Sequence, residues 1–81
     1  MKLYQVLQWT PFPGVYQSMS EWQLQAAEFD LKINKKYYYE HATRKANGIL
    51  LYPLETAKRI VDYWTRRYPF ADYQLKESES E

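Results

Sequence analysis

Few side chains in this 81-residue chain are of the types that catalyse reactions or bind transition metals. There is one histidine, His41, and there is no cysteine. His41 follows Glu40, but adjacent residues point to opposite faces of a strand and do not face each other on a helix either. Without cysteine, a transition-metal site would need carboxylates for its other ligands. We therefore expect His41 to have a structural or surface role, and we predict no catalytic residue, metal site or cofactor.

Paired carboxylates are the other candidates for chemistry. Glu21, Glu28 and Asp30 are close in sequence, but two carboxylates that flank a glycosidic bond need a cleft between them, for which so short a chain has little room. Glu21 is better explained by helix capping. The two glycines, Gly14 and Gly48, do not form a phosphate-binding loop. The sequence therefore predicts a protein that is not an enzyme.

Basic and aromatic residues are concentrated in the middle of the chain. Residues 35–67 contain eight basic and three acidic residues, whereas residues 1–34 have a net charge of −1 and residues 68–81 a net charge of −3. Basic groups can neutralise phosphates, and aromatic faces can stack on bases or anchor a protein interface. We predict a binding surface that combines residues 35–45 with the outer face of the last helix, and its candidate residues are Lys35, Lys36, Tyr37, Tyr39, Arg44, Lys45, Arg59 and Arg66.

The composition favours a protein partner over a nucleic acid. The net charge is +1 and the sequence pI is about 7.9, below the pI above 9 that is typical of nucleic-acid-binding domains. Aromatic residues make up 19% of the chain, and Tyr, Trp and Arg are the usual anchors of interfaces. We predict a non-enzymatic adaptor, subunit or inhibitor that binds a protein, of the kind that phages and mobile elements often encode. The alternative is a single-stranded DNA- or RNA-binding module.

No apolar run is long enough to span a membrane, and the expected location is the cytoplasm.

The first half of the chain predicts two strands and a helix. Side chains that alternate between two faces with a period of two favour a strand from Lys2 to Trp9. A turn is predicted at Pro11–Gly14, and residues 15–17 are predicted to form a short returning strand. Ser18 and Glu21 fit a capping box, in which each side chain bonds a free backbone amide of the other residue. This spacing predicts a helix from residue 19 to about 29.

The segment from Asn34 to Tyr52 allows two interpretations. Three consecutive tyrosines favour a strand from Lys36 to Thr43, and Asn47-Gly48 is the strongest hairpin signal in the chain, with residues 49–52 returning. In the alternative, Asn34 caps a helix that runs to Ala46, and Asn47-Gly48 ends it. We favour the hairpin.

The last helix has the clearest pattern. Apolar residues recur at three- and four-residue spacing over positions 54–68, and Pro53 suits a helix start. A final strand is predicted at 72–76, and the acidic residues 77–81, which include no apolar side chain, are predicted to be disordered.

Together these elements predict one α+β domain over residues 1–76, with a small antiparallel β-sheet and two α-helices packed on one face. A weak similarity at an offset of 34 residues suggests that the chain repeats a ββα unit. The expected core comprises Leu54, Ala57, Ile60, Val61 and Trp64 from the last helix, Trp22 and Phe29 from the first helix, and Val6, Ile49 and Leu51 from the sheet.

Overall fold

The structure, a computed structural model, describes residues 2–33, 45–46 and 49–79. It confirms the α+β class, with a three-stranded antiparallel sheet and two helices. In chain order the elements are β1 (Lys2–Thr10), β2 (Val15–Ser18), α1 (Glu21–Asp30), β3 (Lys45–Ala46), β4 (Ile49–Leu50), α2 (Leu54–Arg67) and β5 (Tyr73–Glu79).

Strand β1 is the centre of the main sheet, whose strand order is β2-β1-β5. Thr10 lies opposite Val15 in β2, and Val6 lies opposite Leu75 in β5. Beyond the end of β2, Tyr52 exchanges two backbone hydrogen bonds with Tyr4, at 2.7 and 2.9 Å. The segment that leads into α2 is therefore attached directly to the central strand.

Both faces of β1 contain a buried residue. Val6 is buried against the two helices, together with Tyr52 and Ile60. Leu3 points to the opposite face, because side chains alternate along a strand, and it packs with Leu51 in a second, smaller cluster. The sheet thus has its main core on the helix side and a minor one on the other.

Helix α1 begins two residues later than the capping pattern predicted. The capping pair is Ser20 and Gln23, and the Gln23 Oε1 accepts from both the backbone N (3.2 Å) and the Oγ (2.7 Å) of Ser20. Ser18 cannot start the helix because it is the last residue of β2, opposite Leu7. The sheet ladder therefore overrides the local Ser18–Glu21 signal.

The buried face of α1 is also different from the predicted one. Leu24, Ala27 and Glu28 are buried, whereas Trp22 is 67% exposed and Phe29 is 82% exposed. Residues two apart on a helix lie about 200° apart around its axis, so burial of Leu24 and Ala27 turns Trp22 and Phe29 outward. The prediction that Trp22 and Phe29 belong to the core was wrong.

Helix α2 agrees with the predicted range to within one residue. Ala57, Ile60 and Trp64 are buried, as predicted, and Val61 is half-buried. The ends of the apolar stripe are exposed: Leu54 is 37% exposed, and Tyr68 follows the helix at the surface. The core therefore lies under the middle two turns of the helix, and Leu54 is not a core residue.

Strand β5 extends into the segment that was predicted to be a disordered tail. It runs to Glu79, with Glu77 opposite Tyr4 and Glu79 opposite Lys2. The ladder uses backbone groups and needs no apolar side chain, and the Lys2 ammonium lies 3.6 Å from the Glu77 carboxylate. Residues 77–79 are thus part of the sheet, which corrects that prediction.

The hairpin interpretation of the central segment is confirmed where the structure describes it. Strands β3 and β4 pair antiparallel across a two-residue connection, with Ala46 opposite Ile49. The order ββα, ββα, β is consistent with the ββα pseudo-repeat, and superposition of the two units stays a prediction. Residues 34–44, which include the predicted tyrosine strand, lie outside the described residues.

Candidate functional site

Aromatic side chains converge on the C-terminal half of α2. Trp64 is buried and donates from Nε1 to the carbonyl of Gln23, at 3.3 Å, which ties α2 to α1. The rings of Trp22 and Tyr63 meet Trp64 edge-on, with centroid distances of 6.4 and 5.1 Å, and Tyr68 stacks on it at 5.8 Å. The exposed Trp22 and Tyr68 rings are thus supported by a buried ring beneath them.

A groove of 650 Å³ begins beside this cluster. Phe70 is fully exposed in the turn that follows α2, and Tyr68 is more than half exposed. Burial is the main cause that raises the pKa of Tyr73. We call this site the aromatic groove, and it is lined by Gln8, Gln23, Arg67, Tyr68, Pro69, Phe70, Ala71 and Tyr73.

The polar wall of the aromatic groove is built by two amides. Gln8 on β1 and Gln23 on α1 exchange side-chain hydrogen bonds at 3.2 and 3.3 Å. Gln23 is also the capping residue of α1, so its position is fixed by the helix start as well as by the sheet. The groove therefore combines apolar rings with positioned amide groups, a combination that is typical of ligand-binding sites.

A second groove, of 310 Å³, runs along the outer face of α2. Arg59 donates to the carbonyl of Leu31, at 2.9 Å, and Arg66 lies 3.3 Å from the Asp62 carboxylate. We call this site the arginine groove, and it is lined by Leu31, Arg59, Asp62, Tyr63, Arg66 and Arg67.

Arg67 forms the boundary between the two grooves, because it lines both. Its guanidinium lies 3.2 Å from the Asp30 carboxylate and 4.7 Å from the centre of the Tyr63 ring. The Tyr63 hydroxyl also donates to Asp30, and this hydrogen bond is the main cause that raises the pKa of Tyr63. Asp30 from α1 and Tyr63 from α2 thus hold the Arg67 side chain in place.

Among the residues that the structure describes, Glu28 is the buried acid. Its Oε1 accepts from the hydroxyl of Tyr52, at 2.8 Å, inside the main core. Within residues 2–33, 45–46 and 49–79, no group of three or more metal-binding side chains lies together.

The predicted site residues are brought together only in part. Arg59 and Arg66 line the arginine groove. Lys45 lies in β3, and the other five predicted residues, Lys35, Lys36, Tyr37, Tyr39 and Arg44, lie outside the described residues.

Sequence reasoning missed the aromatic groove. Tyr68 was placed in the apolar stripe of the helix, and Phe70 was given no role. The available signal was the run Tyr68-Pro69-Phe70: a proline ends the helix at this point, so two large rings must lie in a turn, where there is little room to bury them. The contributions of Gln8 and Gln23 from other elements had no signal in the local sequence.

Comparisons with protein-family models, with curated proteins and with solved structures found no match to this chain. Of the described helices, none is long and apolar enough to cross a membrane.

Proposed function

We propose that this protein is a non-enzymatic interaction module that binds a protein partner through the aromatic groove. The observation that carries the proposal is the exposed pair of Tyr68 and Phe70 beside positioned polar groups of Gln8, Gln23 and Arg67. Tyr and Arg are among the residues that contribute most to protein interfaces. Covering one Phe side chain contributes about 1.5–3 kcal/mol to binding.

The support beneath the groove strengthens this proposal. Tyr68 stacks on the buried Trp64, and Gln23 is held both by the helix cap and by Gln8. Side chains that are already ordered lose less conformational entropy when a partner binds. The groove is therefore suited to a partner that inserts an apolar side chain and bonds the amides with its backbone.

The test is a comparative capture of binding proteins from an extract of the producing cells, with wild type, Phe70→Ser and Phe12→Ser. Phe12 is the matched control, because it is 93% exposed but lies in the turn between β1 and β2 and does not line the groove. We expect a protein that wild type and Phe12→Ser recover equally and that Phe70→Ser recovers about tenfold less. Equal recovery by all three proteins would contradict the proposal.

A single-stranded nucleic acid is the second candidate, and the arginine groove is the observation that favours it. Arg59, Arg66 and Arg67 could neutralise phosphates. The measurement is binding of labelled oligo(dT) and oligo(U) as a function of salt. On this candidate, affinity falls linearly with salt on logarithmic axes and drops further in Arg59→Gln and Arg66→Gln. Absence of binding at low salt would exclude it.

A further inference from the structure

We propose that the partner segment is an acidic peptide with an apolar anchor, in which the anchor occupies the aromatic groove and at least two carboxylates lie along the arginine groove. This inference rests on the proposed function, and it specifies the chemistry of the partner.

The continuity of the two grooves is the first argument. Arg67 lines both of them, and Asp30 and the Tyr63 ring hold its guanidinium in place. A segment that leaves the aromatic groove on the Arg67 side therefore enters the arginine groove directly. The two grooves are therefore neighbours on the surface, within reach of one peptide segment.

The charge of the arginine groove is the second argument. It is lined by three guanidinium groups and the Asp62 carboxylate, and the Asp30 carboxylate lies 3.2 Å from Arg67, so one positive charge remains in excess. Arg59 and Arg66 are seven residues apart, which is about 10.5 Å along a helix axis. Carboxylates three residues apart in an extended peptide, about 10–11 Å, can match this separation.

The arginines also keep capacity for a partner. Each guanidinium has five N–H donors, whereas Arg59 donates to one carbonyl and Arg66 faces one carboxylate at the surface. Exposed ion pairs such as Asp62–Arg66 are weak, about 0–1 kcal/mol. A partner carboxylate can therefore bind beside the existing contacts or replace them at little cost.

The arrangement of Tyr63 favours an acidic peptide over a nucleic acid. A base needs an open ring face on which to stack, but the guanidinium of Arg67 covers one face of Tyr63, and the ring packs edge-on against Trp64. The face of Tyr63 that Arg67 covers is therefore closed to a stacking base. Guanidinium groups bind carboxylates with two parallel hydrogen bonds.

The experiment is a selection from a displayed library of random 16-residue peptides on the immobilised full chain. We expect selected peptides to combine an aromatic or large aliphatic residue with two or more Asp or Glu residues on one side of it. Selection of apolar peptides without acidic residues would overturn this inference and leave the proposed function standing. Failure to select any peptide would also overturn the inference.

Affinities of a selected peptide then test each groove separately. We expect Arg59→Gln/Arg66→Gln to weaken binding about three- to tenfold, and Lys58→Gln, which removes a charge from α2 outside both grooves, to change it less than twofold. Replacing the peptide carboxylates by amides should give the same loss, and the two changes should not add, because they remove the same contacts.

The remaining outcomes distinguish the acidic chemistry of the partner from the use of the aromatic groove as the binding site. If the amide peptide binds as well as the acidic one while Phe70→Ser weakens both, the acidic chemistry is wrong and the aromatic groove remains the site. If Phe70→Ser and Phe12→Ser bind the peptide equally, the aromatic groove is not the site and the proposed function fails. If oligo(dT) displaces the peptide and binds more tightly, the nucleic-acid candidate replaces both.

Discussion

The hydroxyl of Tyr52 is hydrogen bonded to the Glu28 carboxylate inside the core. We expect Tyr52→Phe to lower the free energy of unfolding by about 1–3 kcal/mol, because a buried acceptor then loses its donor. Urea denaturation measures this difference. The matched control is Tyr16→Phe, which removes a hydroxyl that donates to the exposed Asp72 carboxylate, and we expect a change below about 1 kcal/mol there. Equal effects would mean that burial of the Glu28–Tyr52 pair is not what matters.

Two half-buried tyrosines have raised pKa values, and the largest cause of each is a hydrogen bond to one carboxylate. The hydrogen bond to Asp30 is the main cause that raises the pKa of Tyr63, and the hydrogen bond to Asp72 does the same for Tyr16. We expect Asp30→Asn to lower the pKa of Tyr63 towards 10 and to leave Tyr16 unchanged, and Asp72→Asn to have the reverse effect. Resonances of tyrosines labelled at Cζ report each pKa. A fall in both values with either variant would contradict the assignment.

The raised pKa values of Tyr63 and Tyr16 determine how the free energy of unfolding changes at high pH. A tyrosine with a raised pKa keeps its proton in the folded state after the unfolded chain has lost it at about pH 10. Its contribution to stability is therefore fully present below pH 10 and is lost as the pH rises through the folded-state pKa. We expect Asp30→Asn to show a weaker loss of stability above pH 10 than wild type in urea titrations at several pH values.

At the scale of elements, β5 provides the sharpest prediction. Removal of residues 77–81 should lower the free energy of unfolding by about 1–3 kcal/mol, because the backbone pairing of residues 77–79 with Lys2–Tyr4 is lost. Amide exchange at the Lys2–Tyr4 end of β1 should become faster. Removal of residues 80–81 alone is the control and should have little effect. If both truncations leave stability unchanged, the pairing of residues 77–79 does not contribute to it.

Sequence patterns located most helices and strands, but they did not predict which strand segments pair with each other. The apolar stripe of α2 defined that helix to within one residue, because its period is strong and a proline lies at each end. The start of α1 was two residues wrong, since Ser18 belongs to the pairing of β2 with β1. Residues 77–79 were assigned to a tail because local composition contains no information about which backbone lies opposite them.

At the scale of the whole molecule, one tryptophan lies in the core and another lies at the surface. Trp64 is buried and joins α1 to α2, whereas Trp22 lies mostly at the surface. We expect Trp64→Phe to reduce the free energy of unfolding by about 1–3 kcal/mol, through lost volume and the lost Nε1 hydrogen bond. Trp22→Phe should change it by less than about 1 kcal/mol. Thermal unfolding of both variants measures the difference, and a larger effect at Trp22 would favour the core assignment based on sequence alone.

Trp64 also connects stability with the proposed binding surface. Its ring supports Tyr68 from below, and Tyr68 lines the aromatic groove. Binding should therefore fall in Trp64→Phe even at temperatures where the protein remains folded. The position of the groove was not evident from the sequence, because its walls come from β1, α1, the turn after α2 and β5.

The sequence by itself determined the α+β class, the extent of α2, the hairpin around residues 47–48 and the position of Arg59 and Arg66 on the outer face of the last helix. These features follow from local periodicity, turn chemistry and charge. Only the tertiary structure decided which face of α1 is buried, where β5 ends, and that Tyr68 and Phe70 share a groove with Gln8 and Gln23. Those features depend on contacts between residues far apart in the chain, and no local pattern specifies such contacts.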